Sequence, residues 1–120
     1  MTKRILVVED QEDNRQILRD LLANAGYEMI EAEDGEQALI KVQEKPDLIL
    51  MDIQLPLLDG YEATRRIKAD PALKHIPIIV VTSYALSGDE EKARAAGCEA
   101  YVAKPYSPRA LLAKIREYLP

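Results

Sequence analysis

Apolar positions in this chain fall into two kinds of segment, and the two kinds alternate five times. "RILVV" at 4–8, with a continuous apolar run from Ile5 to Val8, predicts the first strand, and it ends at Glu9-Asp10. Ile17, Leu18, Leu21, Leu22 and Ala25 then recur at helical spacing and predict a buried stripe, with Gly26 as the stop signal. "YEMIEA" at 27–32 alternates, as a more exposed second strand does. Asp34 with Gln37 three positions on has the form of a capping box. Ala38, Leu39 and Val42 then give a second helix its apolar face before Pro46 closes it.

"DLILM" at 47–51 predicts the third strand, and a third helix starts near Gly60-Tyr61 and stops before Asp70-Pro71. "IPIIVVT" at 76–82 is the most continuously apolar run, which predicts a central fourth strand. Ser87-Gly88-Asp89-Glu90 is a second capping box, opening a fourth helix that Gly97 ends, and "EAYVA" at 99–103 is the fifth strand. Ser107-Pro108 sets an N-cap before a first-turn proline, and Leu111, Leu112, Ile115 and Leu119 form the stripe of a fifth helix. The alternation predicts an α/β fold of (βα)5 type: a doubly wound, flavodoxin-like parallel sheet of order 2-1-3-4-5, in one domain spanning 1–120. In such a sheet, ligands bind beyond the carboxyl ends of the strands, where the order reverses between strands one and three.

That expectation gives meaning to one oddity. The third strand runs straight into Asp52, although burying a carboxylate is costly unless it is paired or bound to a cation. Glu9 and Asp10 end the first strand, so three carboxylates converge at the switch point, and their repulsion calls for a compensating cation. Hard oxygen donors too few for a calcium cage suit Mg²⁺ beside a phosphate. Thr82 and Ser83 end the fourth strand with hydroxyls, and Lys104, before Pro105, ends the fifth with an ammonium. A carboxylate nucleophile, a divalent ion, a hydroxyl and a lysine form a set for phosphoryl transfer to an aspartate.

Composition narrows the function classes. The 120 residues are 48% hydrophobic and 31% charged with a net charge of −5, and the basic residues are scattered, which argues against a nucleic-acid surface. The one cysteine, Cys98, permits no intrachain disulfide and reads as a small buried packer, and His75 reads as a solvated loop residue. "MTKRILVVED" has neither the form of a signal peptide nor that of an anchor, and no apolar stretch reaches spanning length. These features predict a cytoplasmic protein with no membrane partner.

Taken together, the acidic pair Glu9-Asp10, Asp52, "LPLLDG" with Pro56 and Gly60, Thr82, Tyr101 and Lys104-Pro105 make the whole chain resemble a receiver domain of a two-component response regulator. Thr82 stands 30 residues after Asp52, and Lys104 stands 52 after it, as in that family. "PDLILMDIQLP" and "GDEEKARAAGCEAYVAKP" are most similar to single-domain regulators of the DivK type, although receivers fused to hybrid kinases share these phrases.

The resemblance implies a bacterial signalling switch. Asp52 would take a phosphoryl group from a phosphohistidine on a kinase or phosphotransfer protein. Asp10 and Asp52 would hold Mg²⁺, with Glu9 directly or through water and the Gln54 carbonyl as a further ligand. Thr82 and Lys104 would bind the phosphoryl oxygens. Thr82 and Tyr101 would then move inward and reshape the face of the fourth helix, fifth strand and fifth helix for a downstream protein, as a monomer or a weak phosphorylation-dependent dimer. The region around helix one would dock the kinase. Glu9 in place of Asp, Gln54, and Ser83-Tyr84 depart from the commonest pattern at positions that bear on the lifetime of the acyl phosphate.

Other classes fit less well. A constitutive docking module would not need the intact acid trio, Thr82 and Lys104. An aspartate-nucleophile phosphatase needs a second acid where Gln54 stands. A flavin carrier needs a phosphate loop after strand one, where "EDQEDNRQ" would repel a phosphate. The expected protein is thus no metabolic enzyme and catalyses only its own phosphorylation and hydrolysis. With the chain used by the receiver, output runs through protein contacts, or the chain is a piece of a longer hybrid kinase.

Overall fold

Five parallel strands make a single sheet in the order β2-β1-β3-β4-β5 in the structure, a computed structural model that describes residues 2–82 and 89–120. The elements are β1 (Arg4–Val8), α1 (Glu12–Asn24), β2 (Glu28–Ala32), α2 (Gly35–Lys41), β3 (Leu48–Asp52), α3 (Gly60–Ala69), β4 (Ile78–Thr82), α4 (Asp89–Ala96), β5 (Ala100–Ala103) and α5 (Pro108–Tyr118). The expectations for Ser83, Tyr84 and the start of the box at Ser87 lie outside the described residues.

Successive strand residues point to opposite faces, and the two faces make two cores. Leu6, Val8, Ile49, Met51, Ile78 and Val80 pack with Ala38, Val42, Ala63, Ile67 and Ala93, the layer of α2 and the turn after it, α3 and α4. Ile5, Val7, Leu48, Leu50, Ile79 and Val81 pack with Leu18, Leu22, Leu111 and Ile115 of α1 and α5. β3 and β4 are buried at every residue, as unbroken apolar runs require. β3 is the middle strand, so β4 is interior but one place off centre.

Local chemistry sets most boundaries, and several differ from expectation. β3 extends to Asp52, which therefore belongs to the strand. β4 begins at Ile78, because Pro77 has no N–H to give the ladder and contributes only its carbonyl, which accepts from Ile49 N. α2 ends at Lys41 rather than running to Pro46. A 3₁₀ turn at Val42–Glu44 follows, and Lys45 turns the chain out of it in the left-handed region at φ 55, before Pro46. Asp34 caps α2 by accepting from Gln37 N, but Gln37 reaches back to Glu33 N rather than to the cap residue itself.

The stripe of α1 is also corrected. Its inner face is Arg15, Leu18 and Leu22, whereas Ile17 is 57% exposed. Ile17/Leu21 and Leu18/Leu22 are both helical pairs, and the sheet selects the second, turning Ile17 about 100° away.

Candidate functional site

The switch point between β1 and β3 collects the charges. Pairing of Val8 with Met51 brings the two strand ends level, so Glu9-Asp10 and Asp52 emerge side by side. One oxygen from each of Glu9, Asp10 and Asp52 lies within 4.8 Å of the others. Glu9 is 3% exposed and Asp52 7%, whereas Asp10 is open to solvent. From the far side of the site, Lys104 Nζ donates to Glu9 Oε1 at 3.0 Å and to Asp52 Oδ2 at 3.2 Å. Its backbone is fixed by Lys104 N donating to the Thr82 carbonyl at 2.7 Å.

The loop after β3 closes the site from above. Gln54 N donates to Asp52 Oδ1 at 3.1 Å, and Gly60 N donates to the Ile53 carbonyl at 3.1 Å. Gly60 leads α3 over the strand end so closely that a Cβ there would stand 2.0 Å from the Asp52 carbonyl oxygen. Only glycine permits that approach, which is the physical content of "LPLLDG". Asp59 caps the helix through Glu62 N.

The environment splits the carboxylates. Burial raises the Asp52 pKa to about 6, against the pull of Lys104 and with the help of the Glu9 charge. Burial acts on Glu9 in the same direction. There the Gln11 N–H and the Lys104 ammonium outweigh it and hold Glu9 below the usual range. Partial desolvation, then the hydrogen bond and charge of Glu9, raise Asp10. Lys104 is itself desolvated, but its two carboxylate partners more than compensate and strengthen its hold on the proton.

Three carboxylates against one ammonium leave a deficit of two charges in an open cleft lined by Glu9, Asp10, Gln11, Asn14, Asp52, Gln54 and Lys104. An all-oxygen donor set with that deficit fits one Mg²⁺.

Thr82, wholly buried, ends β4 one residue past Val81, the strand neighbour of Asp52. Tyr101 pairs with Val80 in β5, which puts it on the sheet face that Thr82 shares, half-buried against the α2–α4 core. His75 is exposed and Cys98 buried, its thiol pKa pushed up by that burial.

Three neighbours of the site escaped the sequence reading. Asn14 Nδ2 approaches Glu9 Oε1 at 3.4 Å, and Arg15 donates to the Glu9 carbonyl at 2.7 Å. Tyr106 lines a cavity of about 10 Å³ behind Asp52 and Lys104, and burial raises its phenol pKa. A signal for Arg15 was present: it falls three and seven residues before Leu18 and Leu22, on the buried stripe.

This fold and site define a class, and comparison with known proteins agrees: the chain belongs to the response regulator receiver domain family, which matches residues 5–116. Members of the family are phosphorylation-controlled switches of two-component signalling that work with histidine kinases or phosphotransfer proteins. The chain is 49% identical to the polar-differentiation response regulator DivK of Brucella ovis, over 99% of this chain and 98% of that one. It superposes with a TM-score of 0.91 on the receiver domain of a sensor histidine kinase from Pseudomonas aeruginosa PAO1, which has a magnesium ion coordinated in its active-site cleft. That pair is 38% identical, over 99% and 98% of the two chains. A phosphorylated cyanobacterial phytochrome response regulator, RcpA, gives a TM-score of 0.86 at 28% identity, over 99% and 95%. No helix among the described residues is long and apolar enough to cross a membrane.

Proposed function

We propose that Asp52 is the phosphoryl acceptor of this receiver and that Glu9, Asp10, Asp52 and the Gln54 carbonyl hold Mg²⁺ beside it. The observation that carries the reading is Lys104, whose ammonium bridges Glu9 and Asp52 at the switch point while Asp10 stays open to solvent. A carboxylate oxygen of Asp52 attacks the phosphorus of a phosphohistidine. The P–N bond breaks with its electrons going to the imidazole, and an acyl phosphate forms on Asp52. The ion, when bound, neutralises charge on the transferring phosphoryl oxygens. Lys104 and the Thr82 hydroxyl take the remaining oxygens. Catalysis is confined to the protein's own modification and its hydrolysis.

The phosphohistidine donor, a kinase or phosphotransfer protein, docks over the groove lined by Asn14, Ile17, Pro105, Tyr106 and Pro108. There the exposed Ile17 stands beside the open side of the site. Output runs through Thr82 and Tyr101, which share the α4 side of the sheet next to the acceptor strand, and it reshapes the surface formed by α4, β5 and α5. That surface meets a downstream protein in the cytoplasm as a monomer or a weak phosphorylation-dependent dimer, and no nucleic acid or membrane is engaged. The whole of residues 1–120 acts as one receiver unit.

The test is intact mass after incubation with phosphoramidate, with and without Mg²⁺. The wild type gains one phosphoryl group only when Mg²⁺ is present, and Asp52→Asn gains none. Equal gain by Asp52→Asn would overturn the assignment.

A further inference from the structure

We propose that Arg15 is a positioning residue for the metal site, setting the Glu9–Asp10 peptide so that Asp10 faces the cation; the inference rests on reading that site as a Mg²⁺ site. Arg15 is 5% exposed, on the sheet-facing stripe of α1 where a leucine would otherwise pack. One guanidinium nitrogen, Nη1, donates to the Glu9 carbonyl at 2.7 Å. On the other side, Glu9 N donates to the Ala32 carbonyl of β2 at 3.0 Å. Glu9 is therefore gripped at both its peptide groups.

The grip at the carbonyl matters most for the next residue. The Glu9 carbonyl and the Asp10 N–H belong to one rigid plane, so fixing the oxygen fixes how the chain delivers the Asp10 Cα. Asp10 is exposed, and its side chain lacks the packing that holds Glu9 and Asp52.

The rest of the fork is anchored elsewhere. Nη2 donates to Glu12 and lies 3.2 Å from Glu33 Oε1, and Nε lies 3.2 Å from Glu31 Oε1. A planar guanidinium can satisfy a carbonyl and carboxylates from α1 and β2 together, whereas a lysine ammonium reaches fewer of them with no fixed plane. Groups that orient metal ligands from behind are worth about 10–100-fold in metal affinity.

Charge and geometry predict opposite signs here, which makes the proposal testable. Arg15 is a cation near an acidic metal site, so by Coulomb's law alone its removal would tighten Mg²⁺ binding. If it positions Asp10, removal weakens binding instead.

The experiment is calorimetric titration of the purified chain with Mg²⁺, for wild type, Arg15→Met, Arg15→Lys and Arg19→Met, with thermal melts of each. Arg19 is the control for charge, because it shares Glu12 and Glu31 with Arg15 and its bonds run to the side chains of Gln16, Glu12 and Glu31. The expected result is about tenfold weaker Mg²⁺ binding in Arg15→Met, an intermediate loss in Arg15→Lys, and unchanged or slightly tighter binding in Arg19→Met. If Arg15→Met does not fold, the comparison of Arg15→Lys with Arg19→Met decides. Mg²⁺ binding in the Arg15 variants as tight as in wild type, whatever their melting temperatures, would overturn the proposal. Wild type that binds no Mg²⁺ would overturn the metal site itself.

Discussion

Asp52 and Glu9 are both buried carboxylates bonded to one lysine, yet their proton affinities are pushed in opposite directions. The difference lies in donors and charge: Glu9 accepts from Gln11 N, Asn14 and Lys104, while Asp52 accepts from Gln54 N and Lys104 only among the described residues and also feels the Glu9 charge, so its desolvation wins. This has a pH signature. The Asp52 pKa is about 6 in the fold against an ordinary value of 3.8, so between those values the native state keeps a proton that the unfolded chain has released. Without Mg²⁺, the Asp52 contribution to stability is therefore best below the unfolded value and is lost as pH rises through about 6. Asp52→Asn should stabilise the metal-free protein by about 1–3 kcal/mol at neutral pH, with the gain vanishing near pH ~4. Urea denaturation across that range measures it, and a gain independent of pH would exclude Asp52 as its source. Mg²⁺ affinity should rise over the same window, as the proton leaves its competitor's site.

Among the elements, the junction of β3 and α3 leaves no room for a side chain. Gly60→Ala places a methyl group against the Asp52 backbone, where neither strand nor helix can yield. The expected loss is about 2–3 kcal/mol, read as a lower urea midpoint, together with slower phosphoryl uptake as Asp52 is displaced. A variant as stable as wild type would show that this approach is not under constraint. The order of the elements was legible in the sequence because alternating runs and right-handed crossovers leave few arrangements open. Their ends were less so, since Lys45 and Pro77 act through backbone geometry that hydropathy does not register. The face of α1 misled for a different reason. Ile17 and Leu18 are adjacent, both head helical pairs, and a guanidinium counts as polar even when its partners bury it.

At the scale of the molecule, the site was legible where it is built from strand ends: Glu9, Asp10, Asp52, Thr82 and Lys104 all lie within a residue or two of a terminus that the sheet order brings together. Asn14, Arg15 and Tyr106 come from a helix face and a loop, whose approach depends on packing between layers. The same layering leaves Ile17 exposed beside the groove at Pro105, Tyr106 and Pro108. Ile17→Glu should cut phosphoryl transfer from a phosphohistidine protein by about tenfold, the equivalent of a modest interface contact, while uptake from phosphoramidate stays as in wild type. Loss of both would place Ile17 in the fold rather than in docking.

Direct chemical marking tests whether Asp52 itself carries the phosphoryl group. An acyl phosphate is reduced by borohydride to the alcohol, which converts a phosphorylated aspartate to homoserine and marks it permanently. Phosphorylated protein, reduced in this way, digested and mapped by mass, should carry homoserine at position 52 and leave Glu9, Asp10 and Asp59 unchanged. A mark on any other carboxylate, with Asp52 intact, would contradict the account.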